Sequence, residues 1–64
     1  MTRKRFEKKW PEYTLQCTFD GTFWKAAAYR YVLGVEVLIE SELCTPRASA
    51  IARLSDAMEL LLIS

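Results

Sequence analysis

With 64 residues the chain makes one domain and no more, and a chain of this size buries only ~60% of its unfolded surface. It holds no histidine, two cysteines that form no C-x-x-C pair and two glycines, which excludes a zinc site and a Gly-rich phosphate loop. The net charge of +1 hides an asymmetry, because residues 1–9 place Arg3, Lys4, Arg5, Lys8 and Lys9 against Glu7 and leave a mildly acidic remainder.

Residues 1–12 read as a basic lead-in. Phe6 and Trp10 are four apart and fall on one side of a helical turn, while Pro11 pushes Trp10 toward extended structure. The expectation is a mobile or single-turn arm with Trp10 anchored on the body, followed by a single domain over residues 13–64. No apolar run follows the basic start, so a secretory signal is not expected. No stretch approaches a membrane span, and Leu60-Leu61-Leu62-Ile63 is far too short for one. The expected location is the cytoplasm, with both thiols reduced.

Tyr13 to Phe19 alternates, with Tyr13, Leu15, Cys17 and Phe19 on one face and Thr14, Gln16 and Thr18 on the other. A period of two marks a half-buried strand. Asp20-Gly21 suits a two-residue hairpin turn with positive φ at both positions. That turn sets Phe19 opposite Thr22, Cys17 opposite Trp24, Leu15 opposite Ala26 and Tyr13 opposite Ala28. The second strand runs from Thr22 to about Tyr31. Ala26-Ala27-Ala28 favours helix on propensity, but the flanking aromatic and β-branched residues and the tight turn before it favour strand. Val32-Leu33-Gly34 turns the chain again, with Gly34 supplying an unusual backbone angle. Val35, Val37 and Ile39 then alternate with Glu36, Leu38 and Glu40 as a third strand, its β-branched face buried.

Thr45-Pro46 is a helix start, with Thr as cap and Pro at the first helical position. Ala48, Ile51, Leu54, Ser55, Met58, Leu61 and Leu62 recur at three and four, an amphipathic stripe expected to pack on the Tyr13–Trp24 face. Arg47, Arg53, Asp56 and Glu59 lie toward water. The predicted fold is α+β, a three-stranded antiparallel meander with one C-terminal amphipathic helix on one face, β-β-β-α.

One helix covers one face and leaves the other open. That face carries Phe23, Lys25, Tyr29, Tyr31 and Leu38, the expected partner-binding residues. An apolar share of 52% is more than so small a domain hides, which points to a protein partner or a homodimer. Catalysis has no foothold. Glu36 and Glu40 lie about 13 Å apart on a regular strand, too far for a carboxylate pair, and Cys44 has no base beside it. No enzyme activity, cofactor, metal or small-molecule ligand is expected. The alternative is a DNA- or RNA-binding module. Three-stranded sheets backed by a helix can lie in a major groove, and aromatics on an open sheet can stack on bases. Arg3, Lys4, Arg5, Lys8, Lys9, Lys25 and Arg30 would then contact phosphates.

The segment Tyr13-Thr-Leu-Gln-Cys-Thr-Phe-Asp-Gly-Thr-Phe-Trp-Lys-Ala-Ala resembles the first hairpin of HicB-type antitoxin domains. Leu33-Gly34 resembles part of their Leu-Pro-Gly turn, and Asp56-Ala57-Met58-Glu59-Leu60-Leu61-Leu62 the end of their helix. The Pro-Asp-Leu-Pro run that precedes their Gly is missing. The resemblance spans most of residues 13–62 and implies a small regulator or inhibitor, antitoxin-like or encoded by a phage or mobile element. Such a protein neutralises a partner by contact and oligomerises.

Overall fold

A computed structural model describes residues 1–62 of the chain. Ile63, the end of the apolar run noted above, lies outside the described residues. The order of elements is α1 (Arg3–Lys9), β1 (Thr14–Phe19), β2 (Trp24–Val32), β3 (Val35–Glu40) and α2 (Arg47–Leu62). The strands form one antiparallel sheet in the order β1-β2-β3, with α2 across one face. The α+β meander with a C-terminal helix is therefore the fold. Among the described residues, no helix is long and apolar enough to cross a membrane.

The basic lead-in differs from its expectation. It is a seven-residue helix whose N-cap, Thr2, accepts from the Arg5 amide at 3.2 Å. Lys8 and Lys9 in its last turn suit the negative end of the helix dipole, and Pro11 ends it by excluding helical backbone at Trp10. Phe6 is fully buried and joins the core of the domain. A single apolar residue inside a polar heptapeptide carries little periodicity of its own, so only the tertiary packing reveals this helix. Trp10 is anchored as expected, its Nε1 donating to Ser55 Oγ at 3.0 Å.

The first hairpin keeps its faces but not its register. The pairs are Phe19–Trp24, Cys17–Ala26 and Leu15–Ala28, two residues on from the expected ones. The turn residues are Gly21 and Thr22 rather than Asp20 and Gly21. The Asp20 carboxylate accepts from the amides of Thr22 at 2.8 Å and Phe23 at 2.7 Å, which holds Asp20 at the flank as an Asx turn. Only Gly21 needs a positive φ, here +103°. A slip of two leaves every side chain on its original face, because the pleat repeats every two residues. The second turn is Leu33-Gly34, with φ of +52° and +80°, between the paired residues Val32 and Val35. Positive φ at both central positions defines a type I′ hairpin.

Small residues on the central strand bring the helix close. Ala26 and Ala28 of β2 are fully buried beside Ala50, Ile51, Leu54 and Met58 of α2, with Phe6 and Leu15 completing the cluster. The helical stripe is thus Ala50, Ile51, Leu54, Ser55 and Met58, and it departs from the sequence expectation at both ends. Ala48 is exposed, and Leu61 and Leu62, expected in the core, stand in solvent, because the last helical turn runs past the packed region. The helix begins at Arg47, one residue beyond the expected Pro46, whose carbonyl accepts from the amides of Ser49 and Ala50. Because α2 lies over β2, the β-branched face of β3 is not the buried face expected. Val35 is exposed and Val37 and Ile39 are only half-buried.

Past β3 the chain keeps following β2. The Ser41 amide donates to the Ala26 carbonyl at 2.8 Å, and Ser41 Oγ accepts from the Ala26 amide at 2.9 Å. Cys44 then bridges Trp24 through two backbone bonds, one residue out of step with the β2–β3 register, as at a β-bulge. Cys17 and Cys44 are free thiols, each half-buried.

Candidate functional site: the open face and the far hairpin

The face of the sheet away from the helices carries Thr14, Gln16 and Thr18 from β1, Lys25, Ala27, Tyr29 and Tyr31 from β2, and Glu36, Leu38 and Glu40 from β3. Tyr29 lies directly across from Leu38, and Tyr31 from Glu36. The Tyr31 hydroxyl donates to Glu36 Oε2 at 3.1 Å. That bond and the nearby negative charge push the phenol above its ordinary value of 10.0. Lys25 pairs with Glu40 at 2.6 Å.

Of the expected partner-binding residues, the structure groups Tyr29, Tyr31 and Leu38 and separates Phe23. Phe23 sits beside the first turn, eight positions from Tyr31 along β2, which is about 26 Å on a regular strand. Lys25 lies between the two ends and is held by Glu40. The apolar stripe is therefore concentrated at the end of the sheet that carries the second turn.

There the sequence reading included Tyr31 and Leu38 but missed Leu33, Val35 and Val32. Leu33, at the tip, is 98% exposed, and Val35 and Tyr31 beside it are 65% and 64% exposed. Val32 and Leu38 are also exposed. Single exposed leucines are ordinary, but five large apolar side chains between positions 31 and 38 make a continuous patch on both faces of one hairpin. The signal was available: a leucine one residue before glycine, between two paired valines, must occupy a turn position that faces water.

The cations expected to contact nucleic acid do not converge. Lys9 pairs with Glu59, Arg30 with Glu12 and Lys25 with Glu40. Arg3 donates to the Leu15 carbonyl at 3.0 Å. Lys4, Arg5 and Lys8 are exposed on α1 and, among the described residues, carry no ion pair. They lie on the helical side of the sheet, opposite Lys25. Arg30 projects to the covered side, its guanidinium 5.6 Å from the Tyr13 ring. It lines a shallow cleft of about 360 Å³ with Lys9, Trp10, Glu12 and Leu62. Both cations of this cleft already face carboxylates, so it offers no unpaired charge to an anion.

Comparison with protein-family models, with curated proteins and with solved structures finds no match for this chain.

Proposed function

We propose that the chain is a small, non-enzymatic, cytoplasmic protein-binding regulator that acts by occluding a partner protein. The observation that carries this reading is the far hairpin. Leu33 is fully exposed and held at a φ of +52°, a conformation that costs a non-glycine residue about 1–2 kcal/mol. The turn needs that backbone angle, but asparagine or glycine would supply it at lower cost, and strained residues of this kind cluster at contact sites. A convex apolar projection suits a concave surface on another protein, which is how an occluding inhibitor works. An antitoxin-like role, or one in a phage or mobile element, is the form of this function that the resemblance implies.

The test uses Leu33→Asn with Tyr31→Ser. Neither side chain is buried, so circular dichroism should match wild type. Loss of a central anchor pair typically costs about 2 kcal/mol. The double variant should bind a stoichiometric protein partner, recovered from host lysate and purified, at least about tenfold more weakly. Equal affinity of the two forms sinks the reading.

A second reading is kept by one observation, the exposed and unpaired Lys4, Arg5 and Lys8 on α1. If these hold DNA or RNA, charge-reversing all three should abolish retention at low salt, and retention should fall steeply with salt.

A further inference from the structure

The two edges of the sheet differ. In the first hairpin the Asp20 amide donates to the Phe23 carbonyl, so by alternation Leu15 and Cys17 turn their backbone groups away from β2. That edge is partly covered. Arg3 Nη1 bonds the Leu15 carbonyl at 3.0 Å, Nη2 lies 4.0 Å from Cys17 Sγ, and α1 packs along the strand. On the other side the ladder runs through Ala28–Ile39, Arg30–Val37 and Val32–Val35, in step with the Ser41–Ala26 bond. Glu36, Leu38 and Glu40 therefore direct their N–H and C=O groups outward. Among the described residues, no side chain bonds to them.

The open edge is also acidic. From Val35 to Pro46 there is no Lys or Arg. Glu40 and Glu42 are met by Lys25 and Arg53 from neighbouring elements, while Glu36, which accepts from the Tyr31 hydroxyl, has no ion pair among the described residues. An unprotected edge invites any extended chain, and proteins usually guard it. Here the guard is selective, because the Glu36 carboxylate repels an acidic strand and favours a basic one, with Glu40 contributing less because Lys25 already faces it.

We propose that β3 accepts a fourth strand from a protein partner, an extended segment with basic residues opposite Glu36 and Glu40 and an apolar residue opposite Leu38. This names the partner chemistry of the protein-binding reading and rests on it. Backbone bonds to the outward groups of Glu36, Leu38 and Glu40 supply affinity, and alternate side chains supply selectivity. The intervening positions of the added strand meet Val37 and Ile39, both half-buried, and are apolar. A second copy fits worse. Pairing β3 with itself brings the Glu36 and Glu40 carboxylates of both copies to one seam, and the β1 edge is occupied by Arg3 and α1.

The probe is a synthetic peptide containing Lys-Val-Leu-Val-Lys, compared with one containing Glu-Val-Leu-Val-Glu, against the full chain at low salt. The Lys peptide should slow exchange of the Glu36, Leu38 and Glu40 amides and bind roughly tenfold more tightly than the Glu peptide. Leu38→Pro removes an outward donor and no ladder bond, a placement edge strands tolerate, and should abolish binding. Glu36→Lys with Glu40→Lys, which touches no core residue, should invert the peptide preference. Unchanged exchange at Leu38, equal binding of both peptides, or protection that grows with protein concentration in the absence of peptide each overturns the proposal. If Leu38→Pro still captures the purified partner while the hairpin variant does not, the edge proposal fails and the protein-binding reading stands.

Discussion

Leu33 and Gly21 share a backbone sign but not a tolerance for it. At Gly21, φ is +103° and no atom lies within 4 Å of where a Cβ would sit. The objection to a side chain is therefore conformational and not steric. Gly21→Val should lower stability by about 1 kcal/mol or more, read as the midpoint of urea unfolding. At Leu33 the direction reverses, because asparagine suits the first position of a type I′ turn better than leucine. Leu33→Asn alone should raise stability by up to about 1 kcal/mol. A gain in folding with a loss in binding is the signature of a residue kept for contact. Tyr31 offers a pH test beside it. Its folded value lies above the unfolded value of 10.0 because Glu36 accepts from the neutral phenol. The bond's contribution is thus fully present below pH 10 and is lost as pH rises through the folded value. Absorbance titration should show Tyr31 ionising above 10.0, and Glu36→Gln should lower its value. At Asp20 the sign is opposite. The amides of Phe23 and then Thr22 hold its carboxyl below 3.8, so its turn persists above that value and loosens as pH falls through the folded one.

At the scale of elements, the period-two pattern was enough to place the strands and to divide their faces. It could not place the register, because a shift of two preserves the pattern and Asp20 can either enter a turn or cap it from outside. The second turn was placed but one residue too wide, since Val32, expected within it, pairs with Val35 and leaves only Leu33-Gly34. The stripe of α2 was legible over the stretch where it meets the sheet. Its apolar continuation through Leu61 and Leu62 was not, because hydrophobic spacing says nothing of where the opposing surface ends. The first helix was the hardest to read. Its stability comes from one buried ring and not from propensity, since a seven-residue helix is marginal in water. Phe6→Ala should therefore remove about 3–5 kcal/mol, enough to unfold much of a domain this small, as thermal unfolding would show. Of the candidate site, Tyr29, Tyr31 and Leu38 were legible from alternation alone. The exposed tip and the difference between the two edges depend on packing that no local pattern carries.

As a whole the molecule is prolate, 36 × 21 × 20 Å, with its apolar hairpin at one end and its acidic edge along one side. A partner reaching both would contact β3 and the tip together. The first and last elements pack on each other on the covered side of the sheet. Trp10 bonds Ser55 across 45 positions, and Lys9 pairs with Glu59 across 50, whereas every strand of the sheet pairs with its neighbour in sequence. That division of contacts is also a division in time. The meander closes short loops, while the helix–helix contact waits for the longest closure in the fold. Interactions formed after the folding barrier act on the unfolding rate, so the loss at Phe6 should appear as faster unfolding with folding little changed. On the ribosome the same order has a sharper consequence. Of the five elements α1 is made first and its contact with α2 closes last, so each nascent chain carries Trp10 without its Ser55 partner until α2 has emerged.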